Sequence, residues 1–311
     1  MILIFILYML FASTFTLGKL VLAYANPIFF IGARMTIAGS LLLGYQYFFN
    51  RSKWKFEPKV WPLYLQIITF HVFIAYIFEF WALQYVNASK ACLLFNLSPF
   101  ITAFFSYLIF SERLSWTKWI GLCIGFVGMT PILLSHTPLE DLVGGLWRIS
   151  WPEIALLGSV ASSAYGWMVI KQCLRLNYTP VMVNGIGMFG GGIAAFITSL
   201  FVEGLPQIHA SLIPTNLDAF LASSVGVYAP YVAFFIYMGL LILIANLICY
   251  NLYGYLLGKF SPVLLSFAGF TTPLFAALYD FALTGQSITW QFGVAIAATG
   301  AGLYIFYNDK I

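Results

Sequence analysis

The sequence predicts an all-α integral membrane protein of about ten transmembrane helices, arranged as two inverted repeats of about five helices each. Three observations predict it. The chain of 311 residues is 62% hydrophobic, 19% aromatic and 8% charged, with a mean hydropathy of +0.93. A soluble domain is about a quarter charged, and so few charges cannot cover a water-facing surface. The apolar residues also fall into runs near the roughly 20 residues that a helix needs to cross hydrocarbon. Finally, the first half of the chain resembles the second.

Apolar runs bounded by charge, proline or turn residues place the first spans at Leu3–Ala23, Ile28–Phe49, Pro62–Tyr85, Ser89–Phe110 and Trp116–Ser135. The opening MILIFILYMLFASTFTLGK lacks a positive n-region and a small-residue cleavage site, so it reads as the first span rather than a secretory signal. A polar, acidic stretch follows from His136 to Ser150. The second set reads Pro152–Lys171, Pro180–Val202, Pro230–Leu256, Pro262–Leu283 and Thr289–Tyr307. Its longest loop runs from Glu203 to Tyr228 and includes a short surface helix over Asn216–Ser224. The expected organisation is a first repeat over 1–135, a periplasmic linker over 136–150 and a second repeat over 151–311.

Orientation follows from Lys and Arg, which stay cytoplasmic in short loops. With the amino terminus inside, the inner loops hold Arg51, Lys53, Lys55, Lys59, Arg113, Lys118, Lys171, Arg175, Lys259 and Lys310. The outer loops hold Lys90 and Arg148 with the acids Glu140, Asp141, Glu153, Glu203 and Asp218. Both termini are therefore expected on the cytoplasmic side of a bacterial-type inner membrane. The net charge of +4 forms no dense basic patch, which argues against nucleic acid and leaves lipid head groups as the partner of the cations.

The internal repeat shapes the fold reading most. LSPFITAFFSYLIFSERLSWTKWIGLCIGFVG from Leu97 aligns without gaps with TTPLFAALYDFALTGQSITWQFGVAIAATGAG from Thr271. The alignment matches Pro99 to Pro273, Trp116 to Trp290 and Gly128 to Gly302. ASTFTLGK ending at Lys19 matches SAYGWMVIK ending at Lys171, each followed by a proline, Pro27 and Pro180. An odd number of spans per half inverts the second half in the membrane. Inverted repeats recur in secondary transporters, with substrate held near the midplane where the halves meet. The expected activity is transport by alternating access, helices bending at Pro99 and Pro273.

Lys19, Pro27 and Arg34, the helix NASKACLLFNLSPF with Pro99, and FSERLSW with Glu112 resemble the signature of the drug/metabolite transporter superfamily, EamA type. The second half departs from that pattern: Gln286 stands where an acid is usual, and Arg34 has no counterpart. The phrases ASTFTLGK and LSFAGFTTPLFAAL resemble the S-adenosylmethionine transporters of obligate intracellular bacteria, which import the methyl donor and return S-adenosylhomocysteine. The resemblance thus implies antiport of a small metabolite. The alternative is a proton-coupled exporter of amino acids or drugs, with His71 or Glu79 titrating. A homodimer is left open.

Ionisable groups inside a span are costly and face a cavity or a partner. The third span carries His71 and Glu79, eight residues apart and near one face. His71 falls near the midplane and Glu79 roughly 9 Å below the outer end. Setting Ala82 against Gly254 pairs Glu79 with Asn251. With Ser13, Tyr76, Trp81, Asn96, Ser98, Tyr165, Trp167 and Asn246, these residues are the expected substrate site. For an S-adenosylmethionine substrate, its sulfonium and ammonium would be drawn to Glu79 and to aromatic faces. The competing reading is a structural Arg34–Glu79 ion pair, since Arg34 lies at nearly the same depth. His71 and the three asparagines could equally bridge neighbouring helices.

Neither metal nor cofactor is expected. Cys92, Cys123, Cys173 and Cys249 fall singly within apolar runs and read as packing residues. Gly185, Gly187 and Gly190 spell GxGxxG inside an apolar run without a preceding strand, so close helix packing explains them better than a dinucleotide. No Walker motif, nucleophile elbow or HExxH is present, so an ATP-driven pump or an enzyme is not indicated. Lys19 and Lys171 are expected to snorkel, and Glu112 to pair with Arg113 at a helix end.

Overall fold

The computed structural model describes residues 2–55, 57–86, 91, 94–134, 150–208, 223–284 and 290–309. Most of the linker, the greater part of the Asn216–Ser224 helix, Lys90 and Gln286 lie outside these residues. The described chain is helical throughout apart from connecting turns and one isolated bridge between Ala25 and Ile208.

In order the helices are α1 (Ile2–Leu22), α2 (Pro27–Phe49), α3 (Pro58–Ala82), α4 (Ser98–Phe110), α5 (Trp116–Leu134), α6 (Trp151–Arg175), α7 (Pro180–Val202) and α8 (Ser223–Leu257). Then come α9 (Pro262–Ala268), a tight turn over Gly269–Thr271, α10 (Thr272–Thr284) and α11 (Trp290–Asn308). Among the described residues, 6 helical stretches are long and apolar enough to cross a membrane, while Ile2–Thr14 and Ser98–Phe110 are shorter apolar helices. The fourth apolar run, expected from Ser89, is helical at Ala91, Leu94 and Phe95, turns at Asn96 and Leu97, and continues as helix α4 from Ser98. Pro99 has no N–H to give and suits a first helical turn. Pro273 likewise follows the break between α9 and α10.

Large apolar side chains cover the outside, as lipid contact requires. Trp116, Trp151 and Trp290, each at the start of a helix, are well exposed. Tryptophan at such ends suits the membrane–water boundary, where the ring is amphipathic.

The helices pack in matched exchanges. α2 lies along α7 and α5 along α11, while α3 packs on α6, α1 on α8, and α4 on α9. The glycines at 185, 187 and 190 set α7 directly against α2 and α3. A Cβ at Gly187 would come within 2.6 Å of Ile67, and one at Gly190 within 2.6 Å of Ile68.

Two acids, Glu153 and Glu203, act as helix caps. Ser150 and Glu153 form a capping box at the start of α6, the Ser150 N–H donating to Glu153 Oε2 at 2.8 Å. Both Glu203 carboxylate oxygens accept backbone N–H groups of α2, from Ile28 and Phe29, each at 2.8 Å. Asn26, the N-cap residue, makes no such side-chain bond, so α7's end closes the start of α2.

At the other end, Glu112 departs from expectation. It pairs not with Arg113 but with α6, at 3.1 Å from Lys171 Nζ and 3.7 Å from Arg175. Ser106 Oγ also donates to it at 2.6 Å. The positive φ of Ser111, 57°, turns the chain after α4 towards α6, whereas Arg113 lies over Tyr107. Lys171 consequently does not snorkel; its ammonium reaches this carboxylate and the Phe110 ring. The Lys19 side chain lies outside the described residues.

Candidate substrate site

Two stretches of the helices that meet at the centre are not α-helical. Ile67–Ile74 of α3 and Ile242–Cys249 of α8 are π-helical. Such wide turns are rare and concentrate at functional sites. Each segment is eight residues long, and His71 and Asn246 are both the fifth residue of their segment.

His71 and Asn246 are both buried, at 3% and 0% exposure. Arg34 of α2, 7% exposed, donates from Nε to Asn246 Oδ1 at 2.9 Å. The Asn246 amide points to Met35 Sδ at 3.2 Å and Met188 Sδ at 3.5 Å. An arginine within a span is costly, up to roughly 2.5–3.5 kcal/mol at its centre, and a hydrogen bond to a charged group returns about 1.5–3 kcal/mol. The Asn246 carbonyl therefore offsets much of the cost of holding Arg34 here. The guanidinium carbon also lies 5.5 Å from the Tyr76 ring centre and 5.6 Å from Phe30.

Arg34 acts electrostatically on half-buried Glu79, but among the described residues no ion pair joins them. Tyr76, one helical turn before Glu79, is near both groups, and its hydroxyl meets that of Tyr250 in a short hydrogen bond.

Beyond Tyr250 is an aromatic box. Trp167 of α6 stacks on Tyr253 with ring centres 3.9 Å apart, and lies 4.5 Å from His71 and 5.5 Å from Tyr250. His71 is 5.8 Å from Tyr250. Neither nitrogen of the buried His71 ring has a hydrogen-bond partner; the Ser163 backbone approaches short of bonding geometry. Gly166 makes this possible, because a Cβ there would collide with His71 Cβ and come within 2.6 Å of Nδ1.

A cavity of about 580 Å³ opens at the bundle end where α1 turns into α2, lined by Asn26, Ile28, Phe80, Trp81, Gln84 and Glu203 among others. Phe80 is its link to the centre: it packs on Tyr76 and edge-on against Phe30, the two rings flanking Arg34. A second cavity of about 490 Å³ between α10 and α11 is lined by Leu274, Phe275, Phe292, Ile296 and Leu303. It offers a substrate almost no polar contact.

The expected site residues thus divide. His71, Tyr76, Trp167 and Asn246 meet at the centre, with Glu79 and Arg34 at its edge. Trp81 instead lines the end cavity and packs at a tilt against Tyr85. Tyr165 turns to α3 and α4, donating to Gln66 Oε1 at 2.5 Å and packing on Phe70 and Phe105. Ser13 bonds back to Leu10 O at 2.7 Å. Ser98 meets Ser266 of α9 at 3.0 Å, and the buried Asn96 amide nitrogen is unpaired. Asn251 donates to Leu247 O and accepts from Asn184 Nδ2, a helix bridge. Sequence reading missed Asn184, which also donates to Tyr250 O at 3.0 Å; one amide in the apolar run of α7 was its signal. It also missed Tyr250 and Tyr253, for tyrosines abound here and nothing local distinguishes them.

The sequence pattern of the EamA-like transporter family matches residues 1–134 and 150–308. The chain belongs to the EamA-like transporter family. It is accordingly a multi-pass membrane transporter of a small molecule, not an enzyme. It is 32% identical, over 99% of its length and 91% of the relative's, to a Chlamydia muridarum protein named S-adenosylmethionine/S-adenosylhomocysteine transporter. A Chlamydia trachomatis serovar L2 protein of the same name is 30% identical over 99% of this chain and 89% of its own. A more distant relative is an uncharacterized inner membrane transporter of Escherichia coli K12, 24% identical over 97% of this chain and 91% of its own. One solved structure, described only as a protein crystal structure, matches with a TM-score of 0.69 over 98% of this chain and 95% of its own. At 14% identity that likeness is one of fold alone.

Proposed function

We propose that this protein exchanges S-adenosylmethionine for S-adenosylhomocysteine across the inner membrane. The observation that carries the reading is the central cluster: a carboxylate, a guanidinium and an aromatic box between paired π segments. A sulfonium suits the Trp167, Tyr250 and Tyr253 faces, where a cation gains about 0.5–2 kcal/mol, and adenine suits stacking on the same rings. The names of the chlamydial relatives support the same substrate pair.

The proposed architecture is the ten-span inverted repeat, residues 1–135 and 151–311 flanking the linker, with both termini cytoplasmic. In its support stand the exchanges of α1 with α8 and α3 with α6, the corresponding π segments, and the breaks at Pro99 and Pro273. Alternating access would rock one half against the other about the cluster.

The test is uptake of radiolabelled S-adenosylmethionine into cells in which the protein is detected in the inner membrane. Saturable uptake blocked by unlabelled S-adenosylhomocysteine is expected, with strong loss in Glu79→Gln. Uptake no greater than the empty-vector control removes the substrate assignment. Collapse of the proton gradient should spare exchange; its abolishing transport would instead favour coupled export of amino acids or drugs.

A further inference from the structure

The geometry points to Arg34 and Glu79 as a clamp for an α-amino-acid head, the guanidinium taking the substrate carboxylate and the Glu79 carboxylate taking its ammonium. The inference rests on the substrate reading above and adds which part of the molecule is gripped.

Two opposite charges on neighbouring helices inside a membrane would normally be expected to pair. Here they do not. The bond from Arg34 Nε to Asn246 Oδ1 fixes the plane of the guanidinium, and Tyr76 holds its face. The Tyr76 hydroxyl also approaches the guanidinium, but the fork's other N–H donors have no carboxylate or carbonyl partner among the described residues. A guanidinium edge presents parallel donors that match a carboxylate. Glu79 borders the same Tyr76 ring and likewise has no cation bound to it.

Together the pair sums to no net charge, as does a zwitterionic head. The unpaired nitrogens of buried His71 lie beyond, beside Trp167 and Tyr250, where a polar ligand group would satisfy them. S-adenosylmethionine and S-adenosylhomocysteine share their amino-acid head and differ at sulfur. The clamp would grip the shared part while the aromatic box meets the sulfonium or the thioether, so one site could serve both members of an exchange.

The experiment is competition against radiolabelled S-adenosylmethionine on the purified full-length protein in lipid nanodiscs. The competitors are the unlabelled parent, its decarboxylated analogue and the thioether nucleoside that lacks the whole head. Wild type should bind the decarboxylated analogue at least about tenfold more weakly than the parent, the kind of discrimination that follows when a buried charge loses its partner. In Arg34→Gln that difference should shrink to about onefold, with Arg34→Lys intermediate. Should Arg34→Gln fail to fold, the wild-type series decides alone. Equal competition by the decarboxylated analogue overturns the clamp and leaves the substrate reading intact. Should the parent itself not bind, the same comparison is made by direct binding of methionine and its decarboxylated amine. Preference for methionine then supports the clamp without that substrate, and no preference overturns it.

Discussion

Lys171 of α6 donates to Glu112 at the end of α4 across 3.1 Å, which ties the first half of the chain to the second. Arg175 and the Phe110 ring complete the contact, the Arg175 guanidinium lying 4.1 Å from the ring centre. Glu112 is about one-third exposed and Lys171 mostly covered. In a double-mutant cycle with Glu112→Ala and Lys171→Ala, a coupling of about 0.5–1 kcal/mol is expected. It should weaken as salt rises. Thermal unfolding in detergent reads it, and additivity of the two single variants would mean the pair is idle.

Glu203→Gln should destabilise the protein by about 1–2 kcal/mol, since the amide keeps one acceptor of the two that hold Ile28 and Phe29 and loses the charge that favours a helix N-terminus. Glu203→Asp, too short to reach both N–H groups, should fall between. A melting temperature unchanged in both variants would deny the cap any role.

Asn246→Leu removes the one acceptor on Arg34 Nε and should cost about 1–3 kcal/mol, the penalty of an unsatisfied buried donor. Asn246→Asp should do the opposite for the fold and harm the function. A carboxylate there would neutralise Arg34, so the melting temperature should rise while substrate affinity falls at least about tenfold. A rise in both would show that Arg34 serves structure alone.

Gly166→Ala places a methyl group against His71 Cβ. The ring must move out of its place between Trp167 and Tyr250, and tryptophan emission should shift with a several-fold loss of affinity. Gly18→Ala, at a position with open space around it, is the control and should change neither.

Much of this was legible in the sequence because lipid imposes crude rules. The apolar runs and the charge left at their ends follow from composition along the chain, and Lys19, Pro27, Arg34, Pro99 and Glu112 carried the resemblance to the family signature. Buried polar groups in apolar runs announced His71, Glu79 and Asn246. What the sequence left open was which way a side chain turns. Tyr165 and Trp167 stand two apart on α6, yet one reaches Gln66 and the other enters the aromatic box.

The sequence by itself determined that the chain is a helical membrane protein, since hydrocarbon tolerates neither exposed charge nor unpaired backbone, and its motifs carried the resemblance to the EamA type. The tertiary structure decided the partners. Arg34 meets Asn246 rather than Glu79, Glu112 meets Lys171 rather than Arg113, and Glu203 caps a helix far from it in sequence. The reason is physical: a local pattern fixes the depth of a side chain and the face it occupies, but the partner across an interface depends on where the π segments rotate α3 and α8 and how closely glycines let α6 and α7 approach.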